Sequence, residues 1–83
     1  MSKKVKVYAL STCIHCKHCK EYLDEKGQVY DCVYVDRLAG DERRETIDAI
    51  KKVNPGLSFP TVMVDEVAVI GFDRDALDKA LKD

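Results

Sequence analysis

The sequence predicts one small α/β domain, a four-stranded mixed sheet flanked by three helices in the order β-α-β-α-β-β-α. Short stretches of alternating β-branched and aromatic residues mark the four strands. Longer stretches with apolar residues three and four apart mark the helices. A strand–helix–strand start implies parallel pairing with a right-handed crossover, and the last two strands, two residues apart, imply a hairpin.

The first strand is "KVKVYAL", residues 4–10, which alternates in the manner of a half-buried strand. Ser11 and Thr12 are N-cap types, so a helix can run from about Cys13 or His15 to Glu25, with Gly27 placed to end it. Cys16, Cys19, Lys20 and Leu23 follow helical spacing along it, flanked by Tyr22. "QVYDCVYVD", residues 28–36, reads as the second strand, with Tyr8, Tyr30 and Tyr34 as sheet residues. The second helix takes Asp41 as its expected N-cap, shows Ile47, Ile50 and Lys51 on one face, and stops at Asn54-Pro55-Gly56. Its opening "GDERRE" is a solvated first turn whose acids suit the helix N-terminus. "TVMV" and "VAVI" form the hairpin around Asp65-Glu66. Asp73 then caps a last helix that buries Ala76, Leu77, Ala80 and Leu81.

Eighty-three residues, 46% hydrophobic and 35% charged, make a globular domain with a small core. A net charge of -1 from interspersed acids and bases gives no basic patch for nucleic acid and no cationic membrane face. After "MSKK" the apolar residues are few and Lys6 interrupts them, which is too short for a signal-peptide core. The expectation is a cytoplasmic monomer. In that compartment four cysteines point to redox or metal chemistry before a structural staple.

Three of those cysteines lie in "STCIHCKHCK", residues 11–20. Cys13 falls at the start of the first helix, where unpaired backbone N–H groups and the helix dipole favour a thiolate. The thiolate is the attacking species in thiol–disulfide exchange. Cys16, one turn on, is placed to resolve the mixed disulfide that Cys13 forms. His15, if protonated, would stabilise the Cys13 thiolate by charge, and a lower thiol pKa would make the disulfide a stronger oxidant. An exposed histidine without effect is the opposing reading.

"TCIHC" after the first strand, "FPT" at 59–61 and "GFDRDAL" at 71–77 together resemble the glutaredoxins and related redoxins of the thioredoxin superfamily. The resemblance covers nearly the whole chain. It implies the thioredoxin-like fold, a cis bond at Pro60 facing the cysteine pair, and a substrate contact from Phe59. It places Thr12, Ile14, Gly71, Phe72 and Asp75 around the substrate, with Asp75 at the acidic position that meets the glutathione amino group. Two features depart from glutathione users: Leu10 stands where a lysine is usual, and Gly71-Phe72 replaces Gly-Gly. The "GFDRD" run is more similar to redoxins that serve ribonucleotide reductase. The implied function is a dithiol thiol–disulfide oxidoreductase acting on protein or glutathione-mixed disulfides. It needs no covalently bound cofactor, and its implied reductant is glutathione or a thioredoxin-reductase-type enzyme.

The alternative is a metal module in which Cys13, Cys16 and Cys19 bind zinc, copper or an iron–sulfur cluster. C-x2-C-x2-C resembles the start of a ferredoxin run, but the fourth cysteine and its proline are absent. Some glutaredoxin relatives without proline in the pair share a [2Fe–2S] cluster between protomers, and Ile14 permits that here. Cys19 shares a helix face with Cys16 and is expected in the core. Cys32 is expected to pack within its strand, and His18 to lie in solvent.

Overall fold

A computed structural model describes residues 4–82. The elements are β1 (Val5–Ala9), α1 (Ile14–Glu25), β2 (Asp31–Tyr34), a 3-10 turn (Val35–Arg37), α2 (Gly40–Val53), β3 (Thr61–Val64), β4 (Val67–Ile70) and α3 (Arg74–Leu81). The sheet order is β2-β1-β3-β4. β1 is parallel to β2 and antiparallel to β3, and β3 is antiparallel to β4. The expected architecture is the observed one.

Register sorts the side chains into two layers. Val5, Val7 and Ala9 alternate along β1, and Val62 and Val64 lie opposite Val7 and Val5 on β3. That face is covered by Cys16, Cys19 and Leu23 of α1 and by Leu77 and Ala80 of α3, giving one continuous core. Lys6, Tyr8 and Val33 point to the opposite face, where Glu42, Thr46 and Ala49 of α2 border them. Cys19 is wholly buried, as its helical spacing implies, and half-buried Cys32 packs against the same core from β2.

Helix ends show why the elements stop where they do. Gly27 has φ +69°, a left-handed conformation that costs glycine least. It donates to the Asp24 carbonyl at 3.0 Å while Gln28 donates to that of Leu23 at 3.0 Å, satisfying two orphan carbonyls of α1. Asp73 caps α3 as expected, accepting from the Ala76 N–H at 3.1 Å. Asp73→Ala should lower stability by about 1 kcal/mol. The check is a lower urea midpoint with an unchanged m-value.

Two boundaries differ from expectation. The second strand spans only Asp31–Tyr34, not 28–36. Turning at Gly27 leaves Val29 84% exposed before the chain reaches β1, whose pairing begins at Lys6 with Asp31. At the other end, Val35–Arg37 leave the ladder as a 3-10 turn. Asp41 is not the cap of α2 either: Ala39 holds that position without a side-chain bond. The helix starts at Gly40, so Asp41 and Glu42 sit inside the first turn, where their charge still complements the dipole.

Candidate active site

The topology brings one end of all four strands to the same edge of the sheet. β1 and β2 finish there because they run in parallel, β3 begins there, and β4 finishes there. The loop after β1 therefore brings Cys13 to the same sheet edge as Pro60, which precedes Thr61, the residue paired with Tyr8. The Gly71 N–H donates to the Pro60 carbonyl at 2.8 Å, tying the exit of β4 to the same loop. The Phe59–Pro60 bond is cis.

Cys13 is the N-cap of α1, and its side chain takes the role an N-cap oxygen usually plays. Its Sγ accepts from the Cys16 N–H at 3.4 Å. Partial burial pushes the Cys13 thiol up, but hydrogen bonds from the Cys16 thiol and from the backbone of Cys16 and His15 outweigh it. The net shift is downward from the ordinary 9.0. Cys16 behaves oppositely: burial, then its hydrogen bond to Cys13, push it up to about 12. Cys19 is pushed up to about 11, first by burial and then by the neighbouring Cys32. Of the three thiols along the first helix, Cys13 alone is both partly exposed and shifted down.

His15 reaches Cys13 through its backbone, while its side chain is exposed. Thr12 and Ile14 are exposed on either side of Cys13, Ile14 by 56%. Phe59 is half-buried and Pro60 fully buried. Gly71 has φ +76°, which a side chain would strain. Phe72 is half-buried, edge-on to Tyr22 at 5.8 Å between ring centres, with the Arg74 guanidinium 5.5 Å above it. Asp75 is exposed in the first turn of α3, just beyond Gly71-Phe72. His18 is exposed.

Sequence reasoning missed three supports of this edge. The Asp36 carboxylate accepts from both the backbone N–H and the hydroxyl of Ser11, fixing the loop before Cys13 to the end of β2. Those two bonds hold the Asp36 carboxyl below its usual range. Asn54, 4% exposed, donates to the Ser58 carbonyl and hydroxyl and to the Thr61 hydroxyl at 3.0–3.1 Å, bracketing Phe59 and Pro60. Lys20 donates to the Tyr34 hydroxyl beside the thiol pair. In the sequence only Asn54 carried a signal, as a chain breaker.

Cys13, Cys16 and Cys19 do not converge: Cys13 is half-exposed at the helix cap, whereas Cys19 sits on the inner face with Leu23. Among the described residues, no group of three His, Cys, Asp or Glu side chains is arranged to hold a metal ion.

A mixed sheet with a cysteine pair at the first helix and a cis-proline at the same sheet edge defines the thioredoxin-like class. Within it, the glutaredoxin family model matches residues 5–69, and the chain belongs to that family. It is 43% identical to a glutaredoxin of known structure from Methanosarcina mazei Go1, covering 94% of this chain and 77% of that one, with a TM-score of 0.89. Methanoredoxin from Methanosarcina acetivorans is 38% identical over 94% of this chain and 83% of its own, with a TM-score of 0.87. An uncharacterized glutaredoxin-like 8.6 kDa protein in a rubredoxin operon of Clostridium pasteurianum is 27% identical, covering 94% of this chain and 97% of that protein. No helix among the described residues is long and apolar enough to cross a membrane.

Proposed function

We propose that the protein is a dithiol thiol–disulfide oxidoreductase in which Cys13 attacks and Cys16 resolves. The observation that carries this is the opposed setting of the two thiols, one lowered at a helix cap and one raised to about 12 beneath it. The Cys13 thiolate attacks a substrate disulfide, forming a mixed disulfide and releasing one substrate thiolate. Cys16 then loses its proton and attacks the Cys13 sulfur, expelling the second substrate thiolate. The substrate gains two electrons and, with two protons, leaves as two thiols. The protein is left with a Cys13–Cys16 disulfide for an external reductant to reopen.

Family membership supports exchange with protein disulfides or glutathione mixed disulfides, and we assign the substrate wall to Phe59 and Pro60, with Gly71 and Asp75 extending it beyond the residues the family model matches. Leu10 and Phe72 favour a thioredoxin-reductase-type electron source over glutathione. The test is a coupled assay supplying either glutathione with its reductase or a thioredoxin reductase, with insulin as the disulfide substrate. Faster turnover with thioredoxin reductase is expected. Fast turnover with glutathione alone would overturn the reading of Leu10 and Phe72 while leaving that of Cys13 intact.

A further inference from the structure

The parallel ladder of β1 and β2 ends at Ala9 and Tyr34. Two residues further along stand Ser11 and Asp36, which would face each other if the ladder continued. They do meet, but through a side chain. The Asp36 carboxylate takes the Ser11 backbone N–H on one oxygen, at 3.0 Å, and the Ser11 hydroxyl on the other. Two donors of one residue held by one anion make a charge-assisted clamp, more directional than either bond alone. Its base is fixed. Asp36 lies in the 3-10 turn Val35–Arg37, anchored by buried Val35 and closed by the Leu38 N–H on the Val35 carbonyl at 3.2 Å.

The clamped residue belongs to a tight turn. The Cys13 N–H donates to the Leu10 carbonyl at 3.2 Å, so residues 10–13 close a four-residue turn with Ser11 and Thr12 at its corner. Both corner residues are exposed, so packing does little to hold them. Cys13 is at once the last residue of this turn and the N-cap of α1. Its Sγ, 3.4 Å from the Cys16 nitrogen, is therefore placed from two sides, by the helix and by the turn. The turn also serves the second thiol. The Leu10 backbone hydrogen-bonds to the Cys16 sulfur in the sense that favours its thiolate.

We infer that Asp36 and Ser11 are positioning residues for thiol–disulfide exchange, their clamp holding the turn at 10–13 so that Cys13 stays at the cap of α1 and Leu10 stays against Cys16. This rests on Cys13 and Cys16 being the exchanging pair. Both residues act through the backbone of the turn. A hydrogen bond weakens steeply as its angle closes, so a turn free to shift deprives the Cys13 thiolate of the donors that favour it. The charge of Asp36 works the other way, because a nearby anion disfavours a thiolate. Position and charge thus predict effects of opposite sign. The titratable groups around the turn are His15, Cys16, Lys17 and Lys20 of α1, Tyr34 of β2, and Arg37 beside Asp36. None of these is altered in the variants that test the clamp.

The test is the pH profile of Cys13 alkylation by iodoacetamide, an uncharged reagent, in the reduced protein, read by peptide mapping. Asp36→Ala removes both bonds and should slow alkylation about tenfold at a fixed pH below the midpoint, with the midpoint moving up. Asp36→Asn and Ser11→Ala each keep one bond and should slow it about threefold. Ser11→Ala leaves the Asp36 charge in place, so it reads position alone. Asp48→Ala, at an exposed acid of α2, is the control and should keep the profile. Faster alkylation in both Asp36 variants, with Ser11→Ala unchanged, would show an effect of charge and overturn the positioning role. An unchanged profile in all three, even with a lower urea midpoint, would make the clamp a brace for the fold and overturn the role as well. Label on Cys16 before Cys13 in the unmodified protein would instead overturn the reading of the pair.

Discussion

Cys13→Ser should reduce disulfide exchange by at least about three orders of magnitude, because it removes the thiol lowered at the cap of α1, while Cys16 and Cys19 are buried and raised. Cys16→Ser should behave differently. Cys13 still attacks, but nothing resolves the product, so the protein accumulates as a mixed disulfide visible as an added mass that dithiothreitol removes. Cys19 should not replace the lost thiol, since it is fully buried and shifted up to about 11. Cys19→Ala should accordingly retain exchange. The pH dependence follows from the same shifts. Alkylation of the reduced protein should rise with pH and level off below 9.0, the ordinary cysteine value, as Cys13 ionises. Cys16, near 12, should stay protonated and unmodified over that range. Peptide mapping of the alkylated protein separates the two. Label on Cys16 before Cys13 would reverse the assignment of nucleophile and resolver.

The second large effect is expected at Asn54. Its amide links the end of α2 to the loop that carries Phe59 and Pro60, and the Thr61 hydroxyl extends the network by donating to the Ser58 carbonyl at 2.8 Å. Asn54→Ala removes a buried donor from three acceptors and should cost about 2 kcal/mol. For a domain of this size that is a fall in Tm of roughly 10 °C. Asn54→Asp should cost more, because a carboxylate can only accept and would face the Ser58 carbonyl oxygen. Urea unfolding of the two variants checks the order. An alanine variant less stable than the aspartate variant would contradict the donor role.

What was legible in the sequence was local. Cys13 and Cys16 announce themselves because three-residue spacing after a strand has a chemical meaning on its own. Gly27 and Asp73 act within one turn, so the residue type was enough. The parallel first pair and the closing hairpin followed from which connections carry a helix and which are short, whereas the pairing of β1 with β3 had no local signal. The supports of the site follow a different logic. Ser11 and Asp36, Lys20 and Tyr34, and Asn54 and Thr61 each belong to different elements, and only the completed sheet places them together. The second strand was overextended for a related reason. Residues 28–30 and 35–36 have strand composition, but a ladder needs a partner, and β1 offers pairing only opposite Asp31–Tyr34.

The central place of β1 has a consequence for biosynthesis. The strand that leads to Cys13 leaves the ribosome before its antiparallel neighbour β3, with a helix, a strand and a second helix between them. Pro60 and Gly71 cannot close around the cysteine pair until the last hairpin has emerged. The nascent chain thus presents its cysteines before the proposed substrate wall exists. Whatever disulfides form in that interval are governed by ordinary thiol chemistry. On the proposed function, discrimination among substrates begins only when translation has delivered the β3–β4 hairpin.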